Sequence, residues 1–261
     1  MQKMSNAHVI IITGAASGIG LASSIACLKH SSRVVMIDFD QSALDTQYQL
    51  LNQQYPNQVF KACVDVSNAS AFSQVIDDVM HQFNRIDGLF NNAGIEGKQA
   101  PLTDYDETIF RRVLDVNIMG VYYGMKFVLP WMIKQGTGII LNAASVVGFT
   151  VVPNQSAFIA SKHAVIGLTK AAALEYGQFN IQVNALAPGG ILTPMMENAL
   201  KGINPDNPEA VKTMLINRNP SKRLGTPEDI GVIVASIFAG NLPYVNGETI
   251  VVDGGLSIRW S

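Results

Sequence analysis

The sequence predicts an α/β fold, a doubly wound sandwich with a central, mainly parallel, seven-stranded β-sheet flanked by helices. Three observations predict it. Strand-like and helix-like segments alternate along the chain. The strand-like runs are almost continuously apolar, which marks parallel strands covered on both faces. A glycine-rich turn sits where the first strand meets the first helix. Right-handed crossovers then wind such a chain into two helical layers around one sheet.

The elements follow in order. "HVIIIT" (8–13) is an apolar β-branched strand, and 18–30 has helical periodicity. "RVVMID" (33–38) is strand and 41–54 helix. "VFKACVD" (59–65) is strand, and the helix at 68–84 sets Phe72, Val75, Ile76, Val79 and Phe83 on one face. "IDGLFNNAG" (86–94) runs from strand into loop. A long helical region covers 104–135, with a break expected near Asn117. Then come strand 136–145, helix 155–178 and strand 181–190. Residues 192–222, with Pro194, Pro205, Pro208 and Pro220, read as an irregular, mobile lid. Helix 227–239 and strand 248–253 close the pattern. No repeat or composition break divides the chain, so residues 1–261 are expected to form a single dinucleotide-binding domain.

Composition narrows the function. With 261 residues, 48% of them hydrophobic, the chain can bury a sizeable core. A formal net charge of −2 provides no electrostatic grip on nucleic acid or an anionic membrane. The apolar runs are too short to span a bilayer, and the first residues lack a signal-peptide pattern. Cys27 and Cys63 form no CxxC pair and have no His cluster beside them. They are expected to be buried small hydrophobes, with no metal site and a reduced, cytoplasmic location.

"TGAASGIG" (13–20) carries the first chemistry. Gly14 allows a sharp turn, Gly18 lets backbone approach a pyrophosphate, and Gly20 lets helix and strand pack closely. Ser17 and Ile19 lie at the helix N-terminus, whose N–H groups suit phosphate. Asp38 ends the next strand, 18 residues after Gly20. A carboxylate there accepts both ribose hydroxyls of NAD and repels the 2′-phosphate of NADP; no Arg or Lys stands at Ser17 or Phe39 to reverse that preference. After the third strand, Asp65 reads either as an acceptor for the adenine amino group, with the Val66 N–H nearby, or as a helix N-cap.

The turn, together with "NNAG" (91–94), Asn117 in "DVNIMG", Ser145 in "NAASVVG", "FIASK" (158–162), "PGGILT" (188–193) and "VNGETIVVDGG" (245–255), resembles the short-chain dehydrogenase/reductase (SDR) family over nearly the whole chain. The resemblance implies a Rossmann-type fold and NAD(H)-dependent interconversion of a secondary alcohol and a ketone. It implies that Asn92, Ala93 and Gly94 flank the adenosine side and steady the sheet. By the same resemblance, Asn117 bends a helix and holds a water, and Ser145 bonds the substrate oxygen. Lys162 would hold the nicotinamide ribose, while Pro188, Gly189, Ile191 and Thr193 would cradle the nicotinamide. Taken singly, Ser145 also reads as a turn serine, Lys162 as a surface lysine and Asn117 as a helix cap.

The family pattern places a tyrosine thirteen residues after Ser145 and four before Lys162. This chain has Phe158 there. Phenylalanine keeps the ring and lacks the proton donor, so fold and cofactor binding are expected to persist while acid–base catalysis falls by roughly 10²–10⁴-fold or more. Three accounts stand side by side. Phe158 is an engineered change of tyrosine in an otherwise complete enzyme, made to trap a substrate complex; or the protein is a naturally silent NAD(H)-binding sensor or scaffold; or Tyr122, Tyr123 or Glu96 supplies the proton. The substrate pocket is expected to be largely apolar, lined by residues 146–152, Phe149, Pro153 and Asn154, with Gln155 and Ser156 adding polar contacts. Met195, Met196, Leu200, Met214 and Leu215 would supply an adaptable lid. The family likeness further implies a homotetramer paired through the two long helices, with the Trp260 tail buried at an interface.

Overall fold

A computed structural model describes residues 7–258. Its seven strands are β1 (Val9–Thr13), β2 (Arg33–Asp38), β3 (Val59–Cys63), β4 (Gly88–Asn91), β5 (Gly138–Ala143), β6 (Ile181–Pro188) and β7 (Thr249–Val252). They form one sheet in the order β3-β2-β1-β4-β5-β6-β7. Every neighbouring pair is parallel, as the expectation of a mainly parallel sheet requires. Its helices are α1 (Gly18–Lys29), α2 (Gln41–Gln54), α3 (Ala69–Phe83), α4 (Glu107–Leu114), α5 (Gly120–Gln135), α6 (Ser156–Tyr176), α7 (Pro194–Ile203), α8 (Pro208–Arg218) and α9 (Pro227–Phe238).

Strand β1 explains the unbroken apolar runs. Val9 and Ile11 enter a core with Phe72 of α3, Val128 of α5 and Val165 of α6. Ile10 and Ile12 enter a core on the opposite face, with Leu28 of α1, Leu44 of α2 and Phe238 of α9. Each side chain along the strand is buried because both faces are covered. The strand order reverses between β1 and β4, so the chains leaving these two strands diverge and open a crevice at their C-terminal ends.

Three expectations need correction. Residues 192–222 are not irregular, since α7 and α8 lie there. Pro205 and Pro220 lie outside these helices, but Pro194 and Pro208 stand at the first turn of α7 and α8, where a missing N–H goes unused. Thr193 and Asn207 cap them, accepting from the N–H of Met196 at 3.2 Å and of Ala210 at 3.0 Å. Near Asn117 the long helix is not broken, because a π-turn over Asp115–Met119 carries α4 into α5. Cys27 is buried, and burial pushes its thiol up to about 12, but Cys63 is exposed because it ends the edge strand β3. The expectation for Trp260 falls outside the described residues.

Candidate active site

A cleft of about 1480 Å³ follows the C-terminal edge of the sheet. Of the catalytic and cofactor-binding candidates read from the sequence, all but Gly20 and Asn117 line it. Gly20 lies beneath, where a Cβ would collide with the carbonyl oxygen of Gly14; close packing is thus its role. Asn117 is fully buried behind the wall.

At one end, backbone shapes the cleft. Gly14 and Gly18 turn the chain with φ of +64° and +50°, values that favour glycine. The hydroxyl of Ser17, at the N-cap of α1, makes no capping bond, and the first turn holds no acid. Asp38 is 8% exposed; its Oδ2 accepts from the Ala16 N–H at 2.9 Å and its Oδ1 from the Asp40 N–H at 3.1 Å. The carboxylate is thereby aimed by the same turn that would meet phosphate. Thr13, not singled out by sequence, binds the crevice together. Its Oγ1 accepts from the N–H groups of Asn92 and Ala93 at 2.9 and 3.0 Å, while Asn92 Nδ2 donates to the carbonyls of Thr13 and Gly14.

Asp65 lines the cleft beside Val66 but caps no helix, because Asn68 caps α3. Its Oδ1 accepts from Ser67 N–H and Oγ, and its Oδ2 from Arg112 Nη2 at 2.6 Å. Arg112, on α4, has no signal in the sequence, because its partner is 47 residues away.

At the other end, side chains shape the cleft. The ammonium of Lys162 lies 5.4 Å from the ring centroid of Phe158 and donates to the Ala143 carbonyl at 2.6 Å. Spacing of four along α6 brings the two side chains to one face. Lys162 is 5% exposed, not a surface lysine, and burial pushes its pKa down to about 8. Asn117 ties the wall behind them: its Oδ1 accepts from Ile95 N–H at 2.9 Å, and its Nδ2 donates to Ile95 O at 2.9 Å and Ser161 Oγ at 3.0 Å. Ser161 Oγ in turn donates to the Phe158 carbonyl at 2.7 Å. A hydroxyl on the buried face of α6, beside Lys162, was the available clue to Ser161. Ser145 opens a short turn, accepting weakly from Val147 N–H at 3.4 Å, and lines the cleft.

Thr193 both caps α7 and stands against Gly18, where a Cβ would lie 3.2 Å from Thr193 Cγ2, so the start of α7 closes over the glycine turn. Met195, Met196, Met214 and Leu215 line the cleft; Leu200 is buried behind them. Phe149 and Ser156 do not line it, contrary to expectation, and neither do Tyr122 and Tyr123. Tyr123 instead stacks on Phe127, its ring 5.9 Å away. Glu96, Gln99 and Gln155 do line the cleft. Burial raises the pKa of Glu96, and hydrogen bonds from Gln99 and Gln155 partly oppose that shift.

Residues 14–257 match a family model described as enoyl-(acyl carrier protein) reductase. The chain belongs to the short-chain dehydrogenase/reductase family. It is 38% identical to levodione reductase of Leifsonia aquatica over 97% of this chain and 95% of that protein. The solved structure of levodione reductase superposes with a TM-score of 0.94, at 37% identity, covering 97% of this chain and 98% of that one. NAD+-bound xylitol dehydrogenase matches at a TM-score of 0.91 and 31% identity, over 97% of this chain and all of that one (100%). A gluconate 5-dehydrogenase of Burkholderia cenocepacia, solved with NADP and tartrate, matches at 0.89 and 28%, over 99% and 98%. The SDR fold binds nicotinamide cofactors. The open Ser17 hydroxyl at an acid-free helix N-terminus and the oriented Asp38 carboxylate fit such a dinucleotide. Among the described residues, no helix is long and apolar enough to cross a membrane.

Proposed function

We propose that this SDR protein is built to interconvert a secondary alcohol and a ketone with NAD(H), and that Phe158 holds it at strongly reduced activity. One observation carries the reading: the Phe158 ring lies against the Lys162 ammonium, in the corner where a proton would be exchanged. When bound, the nicotinamide accepts or supplies the hydride. Ser145 holds the substrate oxygen. Lys162 holds a positive charge where a neighbouring phenol would be driven toward phenolate. Phe158 offers that charge a ring face and no proton acceptor, so the proton at the carbinol oxygen has nowhere to go. Asp38 supports NAD over NADP, because a 2′-phosphate would meet a buried carboxylate. Helices α7 and α8 serve as the lid of one dinucleotide-binding domain.

The test is Phe158→Tyr, screened over secondary alcohols and ketones. NAD-dependent oxidation and NADH-dependent reduction are expected to appear. A variant that binds NADH yet stays inert across the panel would leave the second reading, a non-catalytic NAD(H)-binding sensor or scaffold, which the same phenylalanine favours. Assembly as a homotetramer belongs to this proposal, supported by Tyr122 on α5 and Leu174 on α6, exposed at 38% and 87%. Light scattering measures it. A reduced, cytoplasmic compartment suits the exposed free thiol of Cys63.

A further inference from the structure

We propose that Glu96, Gln155 and Gln99 form a second polar subsite in the cleft, one that takes a hydroxyl group the substrate carries in addition to the oxygen that reacts. The proposal rests on the alcohol–ketone reading above and narrows its substrate class to diols and hydroxyketones.

The position of Glu96 is the first argument. It stands two residues beyond Gly94, so their Cα atoms are at most about 7 Å apart. A Cβ on Gly94 would lie 3.6 Å from Lys162 Nζ. The carboxyl group thus shares a wall with the reacting corner, within the span of a compact molecule that touches both.

Its orientation is the second. Glu96 Oε1 accepts from Gln155 Nε2 at 2.5 Å and from Gln99 Nε2 at 3.4 Å. Oε2 stands outside this pair of bonds. A carboxyl group with one oxygen tied down presents the other in a fixed direction. The two amides are themselves anchored. Gln155 immediately precedes α6, its carbonyl accepting from Ile159 N–H at 2.9 Å, so it moves with the helix that carries Phe158 and Lys162. Gln99 also donates to the Ala199 carbonyl of α7 at 3.4 Å. Three walls of the cleft therefore converge on one carboxyl group: the loop after β4, the start of α6, and α7.

Chemistry selects the ligand. Much of the surrounding wall is apolar, with Val147, Met195, Met196 and Met214. A polar group in such a wall costs free energy unless something bonds to it. Burial raises the pKa of Glu96, so both of its protonation states matter. A hydroxyl suits either one, donating to the carboxylate or accepting from the acid. A ketone oxygen pairs only with the acid, and an ammonium only with the carboxylate.

The test uses cyclohexanol and the 1,2-, 1,3- and 1,4-cyclohexanediols, titrated calorimetrically into the full chain saturated with NAD. At least one diol is expected to bind about tenfold more tightly than cyclohexanol, the size of one hydrogen bond to a charged group. In Glu96→Ala that ratio falls to about one. Glu96→Gln keeps the shape and the amide contacts and guards against a misfolded alanine variant; it lowers the ratio to a few-fold. If no diol outbinds cyclohexanol, or if the ratio survives in Glu96→Ala, the subsite is overturned while the alcohol–ketone reading stands. If neither probe binds and Phe158→Tyr is inert toward every alcohol and ketone, that reading fails and the subsite falls with it.

Discussion

The glycine-turn end of the cleft and the lysine end differ in what they are made of. At the first, Gly14 and Gly18 turn the chain, backbone N–H groups aim Asp38, and Thr13 and Asn92 bond to main chain across the crevice. At the second, Lys162, Phe158, Asn117, Ser161 and Glu96 set the geometry with their own side chains. A site made of backbone persists when most side chains change. A site made of side chains can lose its chemistry through one atom. On the function proposed above, Phe158 is that case: its ring lies beside the Lys162 ammonium, where a phenol would serve, and a single oxygen separates the two.

Changes at the lysine end should therefore move rate, and changes at the glycine end should move affinity. The largest effect tests this directly. Phe158→Tyr is expected to raise turnover by about 10²–10⁴-fold while barely shifting the affinity for NADH. Stopped-flow rates and nicotinamide fluorescence measure the two separately. A large gain in NADH affinity would break the comparison, since it would make the corner part of the cofactor site.

Next comes the buried ammonium. Burial takes Lys162 from the ordinary 10.5 down to about 8. Between those values the unfolded chain holds a proton that the folded chain has released, so this group makes stability rise with pH from about 8 to 10.5. Below about 8 its full cost, about 3 kcal/mol, is present. Lys162→Met removes that dependence. The stability gap between parent and variant, from urea unfolding, is expected to shift in favour of the parent by about 3 kcal/mol from pH 7 to pH 10.5. A constant gap would mean that the ammonium is well solvated and the corner is not dry.

A smaller effect is expected at the glycine end. Asp38→Asn replaces one acceptor oxygen with a donor and removes the charge. NADH affinity should fall about 10–100-fold, the range for a hydrogen bond to a charged group. NADPH affinity should change less, so the preference between the two narrows. Competitive titration reads both. An unchanged preference would remove Asp38 from the selection of cofactor.

The same division decides what could be read from the sequence. Sheet, helices and glycine turn were legible because they rest on local periodicity and backbone conformation. The doubly wound layering followed from the handedness of the crossovers, whereas the order of the strands came from the structure. Positions 158 and 162 were legible through spacing along one helix and a family likeness, and position 145, which lies outside that helix, through the likeness alone. The lid was misread because Pro194 and Pro208 look like breakers until their capping partners, Thr193 and Asn207, are recognised. Arg112, Gln99 and the Ser161–Asn117 bond were not legible as a group, because each depends on a contact between elements distant in sequence or on which way a side chain turns. Cys63 was misjudged because an apolar run does not reveal that its strand lies at the edge.

The smallest effect is expected at Arg112, and it probes the boundary of the comparison. Arg112 is a side chain at the glycine end, bonding Asp65 Oδ2 and Ser67 Oγ at 2.6 Å each. The two charged side chains are 46% and 38% exposed, so the ion pair should contribute below about 1 kcal/mol and weaken with added salt. Ser67 holds the other oxygen of Asp65 through its N–H and hydroxyl, whether or not Arg112 is present. Arg112→Gln should accordingly leave the Asp65 turn intact and lower the melting temperature by a few degrees at most. Its effect on NADH affinity should be smaller than that of Asp38→Asn. A loss as large as that of Asp38→Asn would make Arg112 a cofactor contact in its own right, and the glycine end could then no longer be described as built from backbone.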